Sequence, residues 1–412
     1  MQLKIVVVGA GLVGLCTALS LQERGHEVVL ADKDEPLGKA SRWNAGVLAT
    51  SSLWPMIGPG LPRQAVGLAL GRFPGFRLNP ASLGAALPFT LRALAGSRRR
   101  GFEERVAALD RLISLSRRRH EALMTESGSA ALRTDNGWLH LYESSAALEA
   151  AWPQIDAFTR NDVSFEILGR DELADLEPHL APRFERAVLL NGSAWVREPS
   201  ELGAAYLALF RARGGHVRRC EVTGVEPGAA TLGLEDGERL QADRLVLAAG
   251  PWTGALLARA GLRLPMIGER GYVRRVVPEG NAGLNRPVFD TAGGIVLAPR
   301  PDGIQISSGT ELCGIDAPRR TVQAQAALDR ARLLLPLREQ IGEVHAAERP
   351  TLPDDLPAIG PLRAAPHVWL ATGHQHIGFS TSAGTGELIA DGLGGERLPD
   401  WAAEFSPARF GL

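Results

Sequence analysis

An α/β fold is predicted, built from a parallel sheet whose strands lie far apart in the chain and a second, mixed sheet. Three features predict it: a β-branched run ending in a glycine turn at residues 3–14, another buried run and glycine turn at 242–252, and a change to alternating strands beyond Gly261.

At 412 residues the chain exceeds one small core and suits units of about 100–200 residues, so two closely joined domains are expected. Hydrophobic residues make up 45% and charged residues 22%, the composition of a soluble globular protein. A formal net charge of −1 offers polyanions no general attraction, which argues against nucleic acid and for a small-molecule ligand. Cys16, Cys220 and Cys313 are widely separated and form no CxxC pair, so neither a disulfide framework nor a cysteine-bound metal is expected. A reducing cytoplasm fits this usage. Residues 3–9 read as a buried strand, which leaves no room for a secretory signal, and no apolar run reaches the roughly 18 residues of a spanning helix.

Leu3 to Val8 is the first, central strand of the parallel sheet. Gly9, Gly11 and Gly14 follow, then a helix carrying Leu15, Ala18, Leu19 and Leu21. The first glycine allows the tight turn, the second lets backbone approach a pyrophosphate, and the third lets helix and strand pack closely. The helix N-terminus supplies unpaired N–H groups and positive dipole to the phosphates. Glu27 to Ala31 is the second strand, and Asp32 at its end stands 23 positions after Gly9, near the spacing of about 20 at which a carboxylate binds ribose hydroxyls. Lys33 joins Asp32 in this candidate set. In this context the motif reads as a Rossmann-like dinucleotide site rather than a merely tight turn.

Further along, Ser41 and Asn44-Ala45-Gly46 suit a loop laid against a cofactor, with a plain surface turn as the alternative. Residues 55–80 read as an ordered irregular excursion. Leu83, Leu87, Leu91 and Leu94, followed by Arg98, Arg99 and Arg100, form either an interfacial patch for an anionic membrane or a core-facing helix with a solvated basic end. The second reading is favoured because Pro88 interrupts the stripe. Glu103 to Glu126 is a good amphipathic helix. Residues 137–142 and 187–190 read as strands of the second sheet, and Ser200 as the N-cap of a helix that returns the chain to the first unit. Ala249, Gly250 and Trp252, after the strand at 244–248, suggest a second contact with the same nucleotide. The segment Gly373-His374-Gln375-His376-Ile377-Gly378, with Phe379, Ser380 and Thr381 after it, opens a small-residue helix whose N-terminus suits an anionic ring.

The glycine fingerprint, Asn44-Ala45-Gly46, Leu247 to Trp252, Arg349-Pro350 with its Pro-Asp continuation, and the late Gly-His…Gly segment together resemble the FAD-dependent D-amino acid dehydrogenase and oxidase family, which includes glycine and sarcosine oxidases. Most of the chain is covered, and the bacterial D-amino acid dehydrogenase branch looks most similar. Two departures, Gln375-His376 in the late segment and His345 near where the family often carries an aromatic residue, bear on the substrate side chain. The resemblance implies an FAD-binding Rossmann-like domain (residues 1–90, 190–265 and 345–412) and a discontinuous, mixed-sheet α+β substrate domain (91–189 and 266–344).

It further implies oxidative deamination of a D-amino acid, or of a cyclic imino acid such as hydroxyproline, to an imine that hydrolyses to keto acid and ammonia. Glycine or sarcosine oxidation, or a non-catalytic electron-transfer subunit, are the alternatives. Non-covalent FAD is expected because no cysteine follows Cys313, a histidine being the remaining attachment point. Arg349 resembles the family's carboxylate-binding arginine, against a surface ion pair with Glu348 or Asp354. Tyr272 is a second candidate donor to that carboxylate, and His374 and His376 are candidates to meet the ring or the substrate. Trp43 and Trp252 are read first as packing. A quinone or an electron-transfer protein is the expected electron acceptor, with oxygen as the alternative, and the expected location is cytoplasmic, with peripheral contact at the inner face of the membrane as the alternative to a wholly solvated chain.

Overall fold

The computed structural model describes residues 1–97 and 101–412. Among them, one sheet has the order His216–Arg219, Glu27–Asp32, Lys4–Val8, Arg244–Leu247, Ala365–Thr372 and Ala358–Leu362. Its pairings are parallel except for the last, where Ala358–Leu362 runs antiparallel to Ala365–Thr372. Ile5, Val6 and Val7 have no exposed surface, as a central strand covered on both faces requires. The helices Leu12–Glu23 and Gly378–Leu393 contribute Leu15, Leu19, Ala383 and Ile389 to the core on one face. A three-stranded meander, Val222–Glu226, Thr231–Leu234 and Arg239–Gln241, supports the other with Val225, Leu232 and Leu240.

The second sheet is larger and mixed, and contains the strands anticipated at 137–142 and 187–190, with bounds shifted by a few residues, together with the alternating strands expected beyond Gly261, among them Ile267–Pro278, Ile295–Arg300 and Gly303–Ser307. Its long strands Ile267–Pro278 and Leu337–Thr351 run antiparallel. The second of these stays paired in this sheet past residue 345, as far as Thr351. Phe76–Leu78, early in the chain, also joins this sheet by pairing with Thr310–Cys313.

Three local readings change. The helix after the glycine turn begins at Leu12, placing Gly14 inside its first turn. The later helix is Pro199–Ala212 with Glu198 as N-cap, and Ser200 uses its hydroxyl on the Glu198 carboxylate at 2.9 Å instead of on a backbone N–H. The helix Leu83–Gly96 continues through Pro88 and buries Ala86, Phe89 and Ala93, so Leu83, Leu87 and Leu91 face outward, 56%, 62% and 59% exposed. The core-facing reading of that leucine stripe is therefore reversed. Leu94 is half-buried, and Arg98, Arg99 and Arg100 lie outside the described residues.

Candidate active site

A cavity of about 800 Å³ lies between the two sheets and reaches from the glycine turn to the Arg349-Pro350 segment. At the nucleotide end, Gly9 has φ +106° and no room for a side chain, since an added Cβ would stand 2.7 Å from the Ala248 carbonyl carbon. Gly14 lies behind the cavity wall, where a Cβ would overlap the Gly9 carbonyl oxygen. Gly11 borders open space, its nearest neighbour being the Ser41 hydroxyl. That hydroxyl accepts the Leu12 N–H at 2.9 Å and so ties the loop to the helix start.

Asp32 is held on both oxygens: Oδ2 accepts the Ala10 N–H at 2.6 Å and Oδ1 the Asp34 N–H at 3.0 Å. Each oxygen keeps a further lone pair beside the cavity. Lys33 reaches Glu221 at 3.4 Å and stands 5.7 Å from the centre of the Trp252 ring. Ala249, Gly250 and Trp252 border the same region, and Thr372 donates to the Gly250 carbonyl at 3.0 Å.

The loop at 43–46 is gripped by the second sheet. Arg300 Nη2 donates to the Asn44 carbonyl at 2.9 Å, and Gln305 Nε2 donates to the carbonyls of Trp43 and Asn44, both at 3.1 Å. Within the loop the Asn44 side chain accepts the Gly46 N–H at 2.7 Å. Asn44 and Ala45 line the cavity, while Gly46 turns behind it. Trp43 borders the cavity and stacks on His345, ring centres 3.7 Å apart.

On the C-terminal side, Gly378, Phe379 and Ser380 border the cavity at the start of their helix. Ser380 accepts the Ala49 N–H at 3.0 Å and donates to the Val47 carbonyl at 3.2 Å. Thr381 bonds the Ile377 carbonyl within its own helix, and neither it nor Gly373 borders the cavity. His374 and His376 both border the cavity but differ in exposure. His374 is buried, with Nε2 2.9 Å from the Thr385 hydroxyl and its pKa pushed down to about 3 by burial. His376 presents exposed ring surface to the cavity, yet protein encloses it densely enough that burial still lowers its pKa, against the opposing pull of Glu269.

Register assembles the far end. Glu269 lies directly opposite Arg349, and Arg270 directly opposite Glu348, across the antiparallel ladder. Because side chains alternate, the two pairs occupy opposite faces. Arg349 Nη1 meets Glu269 Oε1 at 3.1 Å beside the cavity. Arg270, which does not border the cavity, meets Glu348 through Nε at 2.8 Å. Asp354 is taken by Arg409, so neither acid suggested by sequence as an Arg349 partner serves. Glu269 also accepts the Thr310 hydroxyl at 2.6 Å and the Thr351 hydroxyl at 3.0 Å. Burial alone would raise its carboxyl, but Arg349, first among the opposing groups, holds it below the ordinary range.

Tyr272 is corrected by the same alternation. It falls on the face opposite Gly271 and Val273, where its hydroxyl donates to Glu311 at 2.7 Å and accepts the Arg320 N–H at 2.8 Å. It is not positioned to donate into the cavity. Glu269, Gly271, Thr310 and Thr351 escaped sequence reading because their relevance depends on cross-strand register.

The parallel sheet, its glycine turn and the inter-sheet cavity define a dinucleotide-binding oxidoreductase scaffold. The family model described as "FAD dependent oxidoreductase" matches residues 4–392, and the chain belongs to that family, with FAD as its cofactor. A D-amino-acid oxidase of Bradyrhizobium diazoefficiens is 29% identical over 419 residues, covering 98% of each chain. A D-amino acid dehydrogenase of Xanthobacter autotrophicus is 29% identical over 430 residues, covering 99% of each. The glycine oxidase of Geobacillus kaustophilus shares the fold with a TM-score of 0.76 at 21% identity, covering 98% of both chains.

Proposed function

We propose that the chain oxidises the Cα–N bond of a small amino acid, with a D-amino acid or a cyclic imino acid as the substrate class. The carrying observation is Arg349, a guanidinium on the wall of the inter-sheet cavity with one edge held by Glu269. Its planar fork suits a substrate carboxylate. The relatives named as D-amino-acid oxidase and dehydrogenase support the same class.

In this reading Asp32 takes the ribose hydroxyls with its remaining lone pairs, and the helix start at Leu12, with Gly11 and Ser41, faces the pyrophosphate. Lys33, Ala249, Gly250 and Trp252 flank the nucleotide, while Asn44, Ala45, Gly378 and Phe379 enclose the ring. Gly14, Gly46, Gly373 and Thr381 shape the backbone behind those contacts, and Ser380, on the cavity wall, ties the helix start to residues 47–49. When bound, the flavin supplies the two-electron redox chemistry. The protein's part is to fix the carboxylate on Arg349, keep His376 neutral beside it and exclude water from the cavity. The imine released then hydrolyses to a keto acid and ammonia.

Electrons pass onward to a quinone or an electron-transfer protein, and the outward leucine stripe at 83–91 provides peripheral contact with the inner face of a membrane. The FAD is held without a covalent bond. An anaerobic screen of D-, L- and N-methyl amino acids for flavin bleaching tests the assignment. Bleaching by D-amino or cyclic imino acids is expected; a flavin that none of them reduces overturns it.

A further inference from the structure

A carboxylate deep in a cavity that is to receive another carboxylate requires an explanation. Glu269 has about four acceptor positions, and three are filled, by Thr310 and Arg349 on Oε1 and by Thr351 on Oε2. The group borders the cavity beside the guanidinium. Arg349 and Glu269 thus present a cation and an anion side by side, 3.1 Å apart. An α-amino acid carries the complementary pair, a carboxylate and an amine on adjacent atoms.

We propose that Glu269 receives the substrate's amine nitrogen while Arg349 holds its carboxylate, which makes Glu269 a specificity determinant for substrates bearing both groups. Thr310 and Thr351 aim the remaining lone pair, and Arg349 keeps the acid ionised so that it accepts an N–H from an amine or an ammonium alike. A simple carboxylic acid would satisfy Arg349 and leave the remaining acceptor position of Glu269 without a donor, and a hydroxy acid would offer that position only a neutral one. The inference rests on Arg349 as carboxylate anchor, and the test separates the two assignments.

The probes are 2-methylalanine, which has no Cα hydrogen and is not oxidised, and 2-methylpropanoate, which lacks the amine. Each is titrated into the FAD-loaded protein, and binding is read from the flavin absorbance. The unaltered protein should prefer 2-methylalanine. Glu269→Gln should weaken 2-methylalanine by roughly ten- to hundredfold, the range of one hydrogen bond to a charged group, and leave 2-methylpropanoate unchanged or tighter. Equal losses for both would mean that Glu269 only orients Arg349, and no loss for either would mean no contact; both overturn the proposal. Glu269→Asp keeps the charge but withdraws it by one methylene and should show the same split. Should neither variant retain flavin, equal affinity of the unaltered protein for the two probes overturns it. Arg349→Ala should weaken both probes, and unchanged binding of 2-methylpropanoate there would remove the anchor assignment independently.

Discussion

Gly271 and Arg349 compete for the same space: a Cβ built on Gly271 would stand 2.8 Å from Arg349 Cζ and overlap Nη2. The guanidinium lies over the bare backbone of the neighbouring strand, so any side chain at 271 must push it aside. Gly271→Ala should raise KM for the amino acid and leave the flavin spectrum intact, because the clash is at the substrate end of the cavity. Arg349→Lys should also raise KM by removing the fork. Arg349→Ala should lose about 2–5 kcal/mol of substrate interaction, as when a desolvated charge pair is broken. Kinetics unchanged in all three variants would return Arg349 to a structural ion pair with Glu269.

At the other end, Asp32→Ala should lower flavin content. The substitution removes an acceptor for the ribose and leaves the Ala10 and Asp34 N–H groups without the partners they have now. The measurement is FAD released on denaturation per mole of folded protein. A full complement of FAD in Asp32→Ala would show that the turn grips the nucleotide without this carboxylate.

The pH response centres on Asp355, a buried acid whose Oδ2 accepts the N–H groups of Met56 and Ile57. Burial first, and the charge of Glu269 second, push its pKa up to about 7, well above the roughly 3.9 of an unfolded aspartate. Between those values the folded chain holds a proton that the unfolded chain has released. Its contribution to stability is full below the lower value and lost as pH rises through about 7. Asp355→Asn still accepts both backbone N–H groups but cannot ionise. The variant should therefore lose less Tm than the parent between about pH 5 and pH 8. Parallel Tm curves for the two proteins would exclude Asp355 as the source.

What the sequence discloses and what it withholds follow from the range of each interaction. Gly9, Gly11, Gly14 and Asp32 act within one strand–turn–helix–strand unit, so their spacing alone locates the nucleotide end. Arg349 was legible through its Arg-Pro motif, but its partner was not. Glu269 stands opposite it only because two strands, far apart in sequence, align in one register. Slipping that register by one residue would send every side chain of a strand to the other face, and Tyr272 shows the consequence of not knowing it. The leucine stripe at 83–91 was misread for a related reason. Its period establishes a helical face, but only the packing of Ala86, Phe89 and Ala93 fixes which face turns inward.

That outward stripe supports the last prediction, that the chain docks on an anionic bilayer next to the mouth of its cavity. Leu83, Leu87 and Leu91 are joined by exposed Val66 and Leu70 at the end of the helix Leu61–Ala69. The two helices meet through a common apolar cluster that includes Leu61, Ala86 and Phe89. Gln64, Leu68 and Phe73 of the same region border the cavity. Among the described residues no helix is long and apolar enough to cross a membrane, so contact would be by surface insertion of these side chains, with exposed Arg63, Arg72 and Arg92 nearby in the chain to meet anionic headgroups. Replacing Leu87 and Leu91 together by glutamate adds two charges to an already exposed face and should cost the fold little. The double variant should lose co-sedimentation with anionic vesicles and lose reduction of a vesicle-embedded quinone, while turnover with a water-soluble dye persists. If the parent protein fails to co-sediment, or if the variant reduces the embedded quinone as fast as the parent, the stripe is not the docking surface.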